Sequence, residues 1–167
     1  DGGMQHKQGN PFMNSSPLII GYGNPLCGDD GIGVIAAERL EHMLIDAQIP
    51  VQVITAHQLL PEMVIELAAA DFVLFIDAAV GETPGEICFA PIEAKPPGVY
   101  VGHTLTPATL IGLAQTVYGT SPAAVLVTIT GGQFDLGAPL SAPVSDALPN
   151  VIQRCASLFT GEGAFRP

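Results

Sequence analysis

Two adjacent carboxylates, Asp29 and Asp30, sit near the end of a run that reads G-Y-G-N-P-L-C-G-D-D-G-I-G over residues 21–33. Glycines let a backbone turn sharply and approach another group closely. Asn24 is of the type that fixes a loop through side-chain hydrogen bonds. The run is wrong for a nucleotide. After G-x-G comes a longer loop with two carboxylates, in place of the x-x-G and bare helix amides of a dinucleotide site. Those carboxylates would repel a pyrophosphate at the helix start, and no G-K-S/T follows. A site that repels phosphate and offers carboxylates should attract a cation. The plainer reading, that Asp29 and Asp30 only cap the next helix, accounts for one of them more easily than for both.

Two further residues carry chemistry. Asp77 closes an otherwise apolar run, where a carboxylate is costly unless it faces solvent, is hydrogen-bonded or binds metal. His103 stands between a Pro/Gly-rich stretch and a helix start, and imidazole is a common ligand of nickel and zinc. The bland reading of His103 is a loop histidine with no role. His57, in H-Q-L-L-P-E, is a weaker candidate. Cys27 is a poor nucleophile, because like charge from Asp29 and Asp30 disfavours its thiolate. The sequence holds no G-x-S-x-G elbow and no H-E-x-x-H, the signatures of a hydrolase serine and a zincin.

The elements that must position these residues follow from periodicity. Short apolar runs at 17–21, 51–56, 72–76 (closed by Asp77), 86–92 and 123–130 read as strands, with 86–92 at an edge. Apolar residues recur at helical spacing from 31 to about 47. Pro61 opens a helix to about 70 and Thr106-Pro107 another to 117, stopped by Gly119. Residues 131–143 read as a loop and 144–159 as a final helix. This order predicts right-handed crossovers and a mostly parallel sheet in a three-layer α/β/α sandwich. In such sheets the working crevice lies beyond the carboxyl ends of the strands. The loop at 22–30 and the segment at 77–81 both fall there.

Composition agrees with that architecture. The 167 residues suit one domain, with residues 17–160 as its body. Residues 1–16 read as a loose tail or vector remnant, and 161–167 as a second tail. The chain is 48% hydrophobic and 13% charged, with mean hydropathy +0.42, as expected where helices cover both faces of a sheet. No apolar run approaches the roughly 18 residues of a membrane span. With five Lys and Arg and a net charge of −11, nucleic acid is excluded as a partner. Three widely spaced cysteines argue against a disulfide framework and fit a reducing cytoplasm.

Taken in order, several segments resemble one family. The run at 21–33 is similar to the G-x-G-N-x-x-x-x-D-D/E-x-x-G signature of the nickel–iron hydrogenase maturation endopeptidases. H-Q-L-L-P-E at 57–62, F-I-D-A at 75–78, H-T-L-T-P at 103–107 and V-T-I-T-G-G at 127–132 follow in that family's order. The likeness spans residues 18–159. It implies a hydrolase that removes the C-terminal extension of a hydrogenase large-subunit precursor after nickel insertion. The family's metal-binding carboxylates fall on Asp30 and Asp77, and its histidine on His103. The nickel is the precursor's own. His57-Gln58 departs from the Gly-rich turn of some members, so His57 is kept only as a residue behind the ligands. A monomer is expected. A protein that kept the fold and bound the precursor without cutting it is the alternative, and a nucleotide-binding domain a distant third.

Overall fold

The computed structural model describes residues 16–96 and 105–160. The two tails and the segment holding His103 lie outside them. The elements in order are β1 (Leu18–Tyr22), α1 (Ile32–Asp46), β2 (Gln52–Ala56), α2 (Val64–Ala69), β3 (Phe72–Val80), β4 (Ile87–Pro91), α3 (Pro107–Tyr118), β5 (Ala123–Gly131) and α4 (Ala142–Thr160). Short 3-10 turns at Gly28–Gly31 and Pro61–Met63 lead into α1 and α2.

The strands form one sheet in the order β2-β1-β3-β5-β4. β1 runs parallel to β2 and β3, and β3 runs parallel to β5. β4 alone is antiparallel, on the edge beside β5. Successive strand residues point to opposite faces, so the sheet acquires two cores. Ile19, Leu74, Ile76 and Val127 pack under Ile32, Ala36 and Leu40 of α1 and Val144, Leu148 and Val151 of α4. Leu18, Ile20, Val73 and Phe75 pack under Val64 and Leu67 of α2 and Leu110, Ile111 and Ala114 of α3. The expected three-layer α/β/α sandwich is what forms. Its central strands read as continuous apolar runs because both faces are covered.

Of the boundaries that differ from the sequence reading, two bear on the site. β3 does not stop at Asp77. It continues to Val80 because β5 runs beside it, with Asp77 opposite Thr128 and Val80 opposite Gly131. β1 pairs with β3 only as far as Gly21 opposite Ile76. Asp77 is therefore the first β3 residue beyond the β1 ladder, at the switch point of the sheet. α4 starts at Ala142, earlier than expected, because Pro143 is tolerated in a first turn. α3 follows the expected pattern. Thr106 accepts from the Thr109 amide at 3.2 Å, and Gly119 (φ 68°) ends the helix.

The start of α1 lies hard against the ends of β1 and β3. A Cβ on Gly33 would collide with the carbonyl oxygens of Ile76 and Tyr22, and one on Gly21 with the carbonyl of Gly33. Replacing Gly33 with Ala should destabilise the fold by roughly 1–3 kcal/mol through overpacking, despite a gain of about 1 kcal/mol in helix propensity. A urea titration should show a lower midpoint at an unchanged slope.

Candidate active site at the carboxyl ends of the strands

The loop from β1 to α1 is built on Asn24. Its Oδ1 accepts from the Leu26 amide at 3.0 Å, and its Nδ2 donates to Cys27 Sγ at 3.4 Å. Gly23 adopts φ 129°, and a Cβ there would strike the Asp30 carbonyl. The Gly23 amide donates to the Ala56 carbonyl at 3.0 Å, tying the loop to the end of β2. The half-buried Asp30 carboxylate closes the loop by accepting from the Asn24 amide, 2.7 Å from Oδ2.

Neither aspartate caps the helix, as sequence reasoning allowed. No side-chain cap bond forms at the 3-10 turn or at the start of α1. Asp29 turns inward and is fully buried. Its Oδ2 accepts from the Gly132 amide at 2.8 Å, the Gln133 amide at 3.0 Å and the Ser141 hydroxyl at 2.8 Å. Its Oδ1 accepts from the Ser141 amide at 2.7 Å. Burial pushes this carboxyl up, but the bonds from Gly132, Ser141 and Gln133 outweigh it and hold the group below the usual carboxylate range. This charge therefore favours the fold at neutral pH, and the contribution fades as pH falls through the lowered value.

Asp77 behaves oppositely. It is half-buried where β3 leaves the β1 ladder, and it shares a strand face with Val73 and Phe75, toward α2 and α3. Its Oδ1 accepts from the Ala78 amide at 2.8 Å, and the Tyr22 hydroxyl lies close to the carboxylate. Burial pushes its carboxyl up to about 6. The Tyr22 hydroxyl and the Ala78 amide oppose that rise, and the nearby charge of Asp30 adds to it. Tyr22 in turn is pushed far up, first by burial and then by the Asp77 charge and hydrogen bond. The charge of Asp30 thus bears on Asp77, two residues assigned separately from sequence.

The remaining candidates fare differently. His103 falls outside the described residues. Leu105, where description resumes, packs on the α2/α3 side, the side toward which Asp77 points. His57 follows β2 and is exposed. Cys27 is half-buried beneath the Asn24 amide. Among the described residues no group of three or more His, Cys, Asp or Glu could hold a metal ion. Sequence reasoning missed Tyr22, Ser141 and the bonding role of Gly132. The only signals were a hydroxyl inside G-Y-G-N and the V-T-I-T-G-G run, whose second Gly gives its amide to Asp29.

An α/β/α sandwich with carboxylates near its switch point is the class that fold and site define. Solved structures sharing that fold include the NiFe hydrogenase maturation protease HycI from Thermococcus kodakarensis KOD1. The match has a TM-score of 0.67 and 24% identity, covering 87% of this chain and 93% of that one. The hydrogenase maturating endopeptidase HybD from E. coli matches with a TM-score of 0.66 and 22% identity, covering 89% and 94%. The hydrogenase 2 maturation peptidase from Thaumarchaeota archaeon SCGC_AB-539-E09 matches with a TM-score of 0.61 and 19% identity, covering 86% and 97%. No protein-family model and no curated protein matches the sequence. The chain has the fold of the hydrogenase maturation proteases.

The pH dependence of Asp77 can be checked directly. Its folded value of about 6 exceeds the ordinary 3.8, so stability falls as pH rises through that window. Asp77→Asn should be the more stable protein at pH 8, by on the order of 1 kcal/mol after allowance for solvent screening. The advantage should vanish below about pH 4, as followed by thermal melts across pH.

Proposed function

We propose that this chain is an endopeptidase that removes the C-terminal extension of a nickel–iron hydrogenase large-subunit precursor. Cleavage follows nickel insertion, and Asp30, Asp77 and His103 recognise the inserted ion. The observation that carries the reading is the placing of Asp77 just beyond the β1–β3 ladder, with the Asp30 loop at the end of β1, at the switch point of this fold. Ligands settle outside the carboxyl ends of strands at that point in open α/β sheets. The named similar structures are hydrogenase maturation proteases, and the motif order of the sequence resembles that family's.

The chemistry follows from the side chains. Two carboxylates forced near one another repel, and a divalent cation between them relieves that repulsion. Carboxylate oxygens and an imidazole nitrogen are donors that nickel accepts. So few protein ligands leave coordination positions for the precursor's own groups. Without the ion, the acidic crevice offers the precursor little to bind, and cleavage waits. A carboxylate with a value of about 6 also suits proton transfer with water near neutral pH. The free thiols of Cys27 and Cys88 fit a reducing cytoplasm. Among the described residues no helix is long and apolar enough to cross a membrane.

Incubating the protein with nickel-loaded and nickel-free precursor, followed by mass spectrometry, should show loss of the extension from the loaded form alone. Asp30→Ala, Asp77→Ala and His103→Ala should each slow that cleavage by at least about 10²-fold, the scale for misplacing a reacting group. Equal cleavage of both precursors would overturn nickel recognition. Tight precursor binding without cleavage would instead identify an inactive binding module.

A further inference from the structure

Asp29 has no part in the recognition just described, yet it makes the densest set of polar contacts in the site. Its carboxylate takes the amides of Gly132, Gln133 and Ser141 and the Ser141 hydroxyl, all within 3.0 Å. Its own amide donates to the Gln133 carbonyl at 2.7 Å. One residue of the 3-10 turn is thus bonded to a loop more than 100 positions along the chain. The approach is close: a Cβ on Gly131 would lie 2.8 Å from that of Asp29.

The turn needs such an anchor. A 3-10 turn has poor hydrogen-bond geometry and seldom holds its shape alone, and this one has no side-chain cap. Asp30, the next residue, is tied locally by its amide to Cys27 at 3.2 Å and by its carboxylate to the Asn24 amide. Those bonds stay within one loop and cannot fix that loop relative to β3. The bonds of Asp29 reach the end of β5, which is paired with β3 along the stretch that carries Asp77.

We infer that Asp29 is the positioning residue of the site, fixing the Asp30 carboxylate opposite Asp77 by anchoring the turn to the β5–α4 loop. The inference rests on the reading of Asp30 as a site residue. It differs from a simple staple of the fold, which would weaken every element alike.

Native-state hydrogen exchange of the full chain separates the two, because the Asn24 amide reports on the Asp30 carboxylate and the Leu74 amide on the core of β3. Asp29→Asn puts an NH2 where N–H donors now point, leaving buried groups unpaired. Asn24 exchange should quicken by at least about 10-fold more than that of Leu74, as expected for a local opening. Precursor cleavage should fall by about 10²-fold, beyond that of Leu148→Ala, a core variant compared well below both melting temperatures. Ser141→Ala, which removes one bond of the set, should shift both readouts the same way by less, and it decides the question if Asp29→Asn fails to fold. Equal acceleration at Asn24 and Leu74, or cleavage no lower than in Leu148→Ala, would overturn the positioning role. Should the unaltered protein cut no precursor, the proposed function fails, and the exchange data alone decide whether Asp29 positions Asp30.

Discussion

The close crossing of α1 over the ends of β1 and β3 is the constraint on which the rest depends. Interiors pack at crystal-like density, so two backbones approach this nearly only where side chains are missing. Gly21 and Gly33 supply the gap. With the helix seated there, the loop between β1 and α1 must fold back tightly on itself, and the 3-10 turn carrying Asp29 and Asp30 falls beside the distal half of β3. A larger residue at either glycine would push the helix outward and take Asp30 with it.

Asp29 of that turn and Asp77 of β3 show how environment divides labour between identical side chains. Asp29 is fully buried and fully bonded, so it stays charged and serves the architecture. Asp77, half-buried with fewer donors and with Asp30 near, holds its proton to higher pH. Buried charge is costly unless satisfied, and the fold tolerates both because one is saturated with donors and the other can take up a proton. A carboxylate kept where its charge is disfavoured is more often found at a working site than at a structural one.

Much of this is legible in the sequence. Apolar runs in the central strands, the Thr106-Pro107 helix start and the Gly119 stop are local signals, set by propensity and capping within a few residues. The carboxyl-end rule then placed the 22–30 loop and Asp77 at one edge of the sheet. Capping logic misjudged Asp29 because its donors come from Gly132, Gln133 and Ser141, far along the chain. The end of β3 was misread because β5 extends it past Asp77, and strand length depends on a neighbour that periodicity does not register.

The sequence by itself determined the class of the fold, the order of its elements and the acidic character of the 21–33 run. These follow from patterns of residue type that act over short distances. Tertiary structure decided which aspartate of the turn is fully buried, that Tyr22 lies by Asp77, and that the charge of Asp30 bears on Asp77. Those outcomes depend on desolvation and on contacts between residues distant in the chain. Both are properties of packing, and no residue carries them alone.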